Sequence, residues 1–127
     1  MMIDDPATLT EVTDAFDRYE AALIANDIGT LDSLFWDSSL ALRYGVGETL
    51  YGTEAIQAFR KARPGGSPPR RIVRRSITTF GTDFATANIE FVRDGGTAIG
   101  RQSQCWVRLP EGWRITAAHV SLQRDFS

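Results

Sequence analysis

Apolar residues recur at three- and four-residue intervals near the start of the chain, and on alternate positions near its end. Leu9, Val12, Phe16, Tyr19 and Leu23 form one stripe, which predicts a helix from about Pro6 to Ala25. Asp5 or Thr8 is placed to cap it. Asn26-Asp27 interrupts the stripe, and Gly29-Thr30 leads into a short second helix, Leu31 to Trp36. Ser39 to Tyr44 reads as a strand, Gly45 to Gly47 as a turn and Glu48 to Tyr51 as a short returning strand. Thr53 is the expected N-cap of a third helix, Glu54 to Arg63, which Pro64 stops.

Beyond the loop Pro64-Gly65-Gly66-Ser67-Pro68-Pro69 the period changes to two. Strands are expected over about Arg71–Phe80, Phe84–Arg93, Thr97–Leu109 and Trp113–Arg124. Their connections, Gly81-Thr82-Asp83, Asp94-Gly95-Gly96 and Pro110-Glu111-Gly112, have hairpin chemistry, so the strands form an antiparallel meander. Three helices ahead of such a sheet predict an α+β domain whose strongly curved antiparallel sheet wraps around the helices. The hollow of that sheet is a natural place for a small-molecule pocket.

The chain of 127 residues is the size of one domain and shows no internal repeat. Its net charge of −2 lacks the positive field of a nucleic-acid binder. No apolar run is long enough to span a bilayer, and Asp4 and Asp5 stand where a signal peptide would be basic, so a cytoplasmic protein is expected. The single cysteine, Cys105, forms no internal disulfide and reads as a small strand filler. One uneven feature is Arg60, Lys61, Arg63, Arg70, Arg71, Arg74 and Arg75, most of which read as a solvated face, with room for one or two to turn inward onto an anion.

Polar residues in the strands carry the candidate chemistry. Arg43 alternates with Leu42 and Tyr44 and shares its face with the small Ala41 and Gly45, leaving space around a guanidinium suited to a carboxylate. Tyr19, on the helix stripe, is either a core tyrosine or a hydroxyl presented to the hollow. His119 and Ser121 share a face with Trp113, Ile115 and Ala117, and the Trp and Ile mark that face as the inner one. Gln102, Gln104 and Trp106 occupy one face of the preceding strand, and Arg101, Ser103 and Cys105 the other. The alternation leaves open whether the glutamines or Arg101 line the hollow. Glu90 reads as an ion-pair partner. A lone histidine excludes a multi-histidine metal site, the acidic residues show no metal-ligand spacing, and there is no nucleophile elbow.

Arg43-Tyr44-Gly45, Glu48-x-Leu50-Tyr51-Gly52, Ala55-Ile56-x-Ala58-Phe59-Arg60, Gly100-Arg101-Gln102-Ser103-Gln104 and Ala118-His119-Val120-Ser121-Leu122 are similar to the AtzH-like family. That family includes the HpxZ proteins of oxalurate catabolism and lies within the NTF2-like, SnoaL-like superfamily. The resemblance implies a cystatin-like cone over residues 1–127 and a homodimer formed through the outer sheet face. Its AtzH branch is a cofactor-free decarboxylating amidohydrolase that converts 1,3-dicarboxyurea to allophanate with a helix tyrosine and a strand arginine, which match Tyr19 and Arg43, so a small hydrolase is implied. A small anionic substrate, either a carboxylated urea or an oxalurate-type compound, then calls for further cationic or polar contacts, with Arg71, Arg101, Gln104, His119 and Ser121 as the candidates. The competing expectation is a non-catalytic ligand-binding or accessory subunit of a larger amidohydrolase, since one fold hosts many functions.

Overall fold

Pro6 takes the first helical position, where its missing N–H costs nothing, and the Asp5 carboxylate accepts from the backbone N–H and hydroxyl of Thr8 at 3.2 and 2.7 Å. These two bonds hold the Asp5 carboxyl below its ordinary pKa, the hydroxyl contributing most. They start α1 (Pro6–Ala25), and the left-handed Asn26 ends it. The computed structural model describes residues 1–124, continuing with α2 (Ile28–Leu34), β1 (Leu42–Tyr44), β2 (Thr49–Tyr51) and α3 (Thr53–Ala62). The strands β3 (Arg70–Phe80), β4 (Phe84–Arg93), β5 (Ile99–Leu109) and β6 (Gly112–Gln123) follow. No described helix is long and apolar enough to cross a membrane.

Two helix starts differ from expectation for identifiable reasons. Asp27 caps α2 by accepting from Thr30, so the helix begins at Ile28 rather than Leu31. Gly52, not Thr53, is the cap residue of α3. The Thr53 hydroxyl is instead occupied with the backbone of Trp36 and Ser38, tying the α2–β1 connection to α3.

The six strands form one open sheet in the order β2-β1-β6-β5-β4-β3. It is mixed rather than wholly antiparallel, because β1 runs parallel to β6, with Leu42 beside Ala117 and Tyr44 beside His119. Hairpins dictate antiparallel pairing only between consecutive strands, and β1 and β6 are far apart in sequence. The helices fill the concave face. Val12, Phe16, Leu31, Leu34 and Ile56 are buried there against Trp106, Ile115 and Phe91.

Two bulges decide which residues that concave face receives. In β3–β4, Ile72 pairs with Phe91 and Arg74 with Glu90, leaving Val73 as the extra residue. In β5–β6, Cys105 pairs with Ala117 and Trp106 with Ile115, leaving Thr116. An extra residue reverses the in–out alternation beyond it. Ile72 and Arg70 therefore point inward at the start of β3, and Ala118 and Val120 at the end of β6. On β5, Gln102, Gln104 and Trp106 are the buried set.

Gly100 sits opposite Phe91 in the β4–β5 ladder, and a Cβ there would fall 2.2 Å from the Phe91 ring. Phe91 is fully buried, so Gly100→Ala is expected to cost about 1–3 kcal/mol by overpacking. That corresponds to a Tm lower by roughly 3–15 °C for a domain of this size. Gly47→Ala, where nothing lies within 4 Å, is the control and should melt like the parent protein in the same calorimetric scan.

Candidate active site

One end of the cone is left open between α1, the β1–β2 turn, α3 and the near ends of β3, β4 and β5. The cavity there has a volume of about 220 Å³. Such a space suits a small metabolite better than a drug-sized ligand. Helix α1 contributes Tyr19 and Leu23, β1 contributes Arg43, and Arg63 follows the last turn of α3. The inward parity set by the Val73 bulge delivers Arg70, while Arg93 ends β4 and Gln102 comes from β5.

Four guanidiniums thus meet two carboxylates. Arg43 Nη1 donates to Glu48 Oε1 at 2.8 Å, and the Gly47 N–H donates to Glu48 Oε2 at 3.2 Å. The Glu48 carboxylate lies across Gly45, where a Cβ would stand 1.7 Å from Oε1, so only glycine permits this approach. Arg70 Nη2 donates to Glu20 Oε1, which is buried on α1, and to Gln102 Oε1 at 3.2 Å. Arg63 and Arg93 have no carboxylate partner among the described residues. Two aromatic faces carry the remaining burden. Phe59 lies under Arg43 and Arg63, and Phe91 under Arg70 and Arg93.

The electrostatic consequence shows at Arg63. Burial lowers its pKa first, the neighbouring charge of Arg43 lowers it further, and Tyr19 and Glu48 partly offset both. Arginine nevertheless stays protonated in proteins, so the cavity remains net positive. The Nε atoms of Arg63, Arg70 and Arg93 and Nε2 of Gln102 are buried without a hydrogen-bond partner among the described residues. Donors left in this way favour an anion. Tyr19, 3% exposed, packs its ring against Phe35, with centroids 6.3 Å apart. Its hydroxyl bonds no other described residue, unlike that of a tyrosine anchored to a core carbonyl.

The structure therefore brings Tyr19 and Arg43 into one cavity and leaves the other sequence candidates outside it. Arg71 is exposed, because the Val73 bulge gives the inner face at the start of β3 to Arg70 and Ile72 instead. Counting forward from Trp113 and Ile115 puts His119 and Ser121 inside, but the Thr116 bulge reverses them. His119 is exposed with its ring edge on Tyr44, 5.5 Å away, and Ser121 pairs across the sheet with Arg101 on the outer face. Arg101 borders a shallow outer groove with Arg74 and Glu90. Gln104 does face inward but lies deeper, accepting from the Trp106 indole N–H at 3.0 Å. Arg63, Arg70 and Arg93 were not singled out as site residues by sequence. A usable signal was Arg70 directly opposite Arg93, a like-charge pair that a ladder tolerates only with a counter-ion. Among the described residues no group of three or more His, Cys, Asp or Glu is placed to hold a metal ion.

The AtzH-like family model matches residues 1–125. A DUF3225-family protein of unknown function from Pectobacterium atrosepticum SCRI1043 is 53% identical, with a TM-score of 0.93 over 96% of this chain and 95% of that one. A cystatin-like fold protein from Burkholderia xenovorans LB400 is 44% identical, with a TM-score of 0.94 over 98% of each chain. An NTF2-like superfamily protein from Salmonella enterica serovar Typhimurium LT2, 24% identical with a TM-score of 0.77 over 95% of this chain and 94% of that one, shares the fold. No curated protein matches the sequence. The architecture is thus the α+β, cystatin-like and NTF2-like cone, built on a mixed, unclosed sheet.

A base whose pKa is depressed by folding destabilises the fold at every pH where it stays charged. Arg63→Met should accordingly melt no lower than the parent at neutral pH, while its affinity for a small dicarboxylate falls by about tenfold or more, equivalent to about 1.4 kcal/mol. Calorimetric titration and thermal scans read both quantities; a lower Tm with unchanged anion affinity would assign Arg63 a purely structural role.

Proposed function

The chain belongs to the AtzH-like family, and from that membership and its cavity we propose that it decarboxylates a small dianionic carboxylated urea, with 1,3-dicarboxyurea as substrate and allophanate as product. The observation that carries this reading is the meeting of Tyr19 and Arg43, the two residues marked by the family resemblance, in one cationic cavity. Two guanidinium charges without a carboxylate partner among the described residues match a substrate bearing two carboxylates.

The chemistry asks for little beyond charge placement. The bond between a urea nitrogen and its carboxyl carbon breaks, carbon dioxide leaves, and the electron pair stays on nitrogen, where one proton is taken up. Negative charge moves from the departing carboxylate onto the N–C=O group in the transition state. A cation fixed only on the departing carboxylate would stabilise the ground state more and slow the step. Donors aimed at the urea oxygen or nitrogen accelerate it, and such a donor is typically worth about 3–4 kcal/mol. Tyr19, whose hydroxyl has no hydrogen-bond partner among the described residues, fills that role. Arg43, held by Glu48 and the Phe59 face, keeps substrate and hydroxyl in register. No electrons are exchanged with an outside acceptor, so the balance closes with substrate and one proton.

Tyr19→Phe should retain the parental Tm and lose about 10²–10³-fold in kcat, the scale of one removed transition-state donor. Arg43→Lys should fold normally yet lose most turnover, because a point charge replaces the planar fork. Carbon dioxide release from 1,3-dicarboxyurea measures both. Parental turnover in either variant contradicts the assignment, and tight binding without any carbon dioxide release from the parent protein would make it a binding module.

A further inference from the structure

The cavity's cations fall into two groups, each laid on one aromatic ring. Arg43 and Arg63 stand 5.3 and 5.2 Å from the Phe59 centroid, and Arg70 and Arg93 stand 4.5 and 5.8 Å from that of Phe91. Glu48 neutralises one cation of the first group and Glu20 one of the second. Each ring therefore keeps one positive charge without a carboxylate partner among the described residues. Only the Phe59 group includes a residue marked by the family resemblance.

We propose that Arg70, Arg93 and Gln102 form a second anion subsite, which holds the retained carboxylate of a linear dianion while Tyr19 and the Phe59 group surround the reacting end. Which end is retained rests on the decarboxylase reading; the subsite itself rests on the following geometry. Arg70 and Arg93 face each other directly in the β3–β4 ladder, an arrangement of like charges that Glu20 compensates only in part. Their Nε atoms and Nε2 of Gln102 are buried donors without partners among the described residues, and all three side chains line the cavity. Gln102, 3% exposed, has its amide orientation set by Arg70, because its Oε1 accepts from Nη2. Its NH₂ is then the end left to donate. An ionised carboxylate, which accepts at two oxygens and about four lone-pair positions, complements such a set of N–H groups. Gly100 opposite Phe91 leaves room for the ring that both arginines approach, and Arg70, Arg93 and Gln102 all stand on strands rather than in a loop.

The test is calorimetric titration of the full chain with malonate, succinate and glutarate, each against its monoamide. At one chain length the dianion should bind at least about tenfold more tightly than its monoamide. In Arg93→Met and in Gln102→Leu this ratio should collapse to roughly one to three, with the monoamide affinity changed by less than about threefold. Thermal scans establish that each variant is folded, and Gln102→Leu alone decides if Arg93→Met is not. A dianion preference that survives in the folded variants, equal weakening of both ligands, or no dianion preference in the parent protein each overturns the subsite. Carbon dioxide release from 1,3-dicarboxyurea is scored separately. Dianion preference without release sinks the decarboxylase and leaves the subsite standing, and release without dianion preference does the reverse.

Discussion

Gathering four guanidiniums at one end of a small domain is the constraint to which the rest of the structure answers. Like charges at such distances repel, and burial removes the water that would screen them. The fold meets this with two carboxylates, Glu48 and Glu20, and two aromatic faces, Phe59 and Phe91. These compensate the cations in part only. The residual positive charge, together with buried N–H groups lacking partners among the described residues, is the cost that the proposed anion would offset.

The scaffold delivers those side chains by small departures from regularity. A bulge at Val73 turns Arg70 inward, and one at Thr116 turns Val120 inward while sending His119 to the outer face. A glycine under Phe91 lets two arginines share one ring, and a glycine under Glu48 lets a carboxylate reach Arg43. Each device is a single residue. Together they determine whether the concave face is cationic or merely apolar.

What the sequence made legible follows from which rules are local. The α1 stripe is a run of helical spacings, so Tyr19 could be placed on the inner face with no knowledge of its neighbours. The hairpin turns fixed β3 to β6, and the strand Leu42–Tyr44 placed Arg43 correctly because no bulge interrupts it. His119 and Ser121 were misplaced for one shared reason: alternation was counted through the Thr116 bulge, and one extra residue flips every position beyond it. Arg71 was a candidate only as a further cation for the substrate, and it lies on the solvent side of β3. The direction of β1 against β6 was equally invisible, since no turn joins them. Arg63, Arg70 and Arg93 were hidden differently. In a linear reading an arginine near a loop looks solvated, and only the pairing of Arg70 with Arg93 and the stacking on Phe59 and Phe91 reveal them as one cluster.

A doubly charged small acid is the counter-ion proposed for this cavity. Thermal denaturation in a dicarboxylate or in sodium chloride, at matched ionic strength, tests it directly. A ligand at 100 times its Kd stabilises the folded state by about 2.7 kcal/mol. Tm should rise saturably with the dicarboxylate, beyond any rise in chloride. Identical melting in the two salts across the whole concentration range would contradict it.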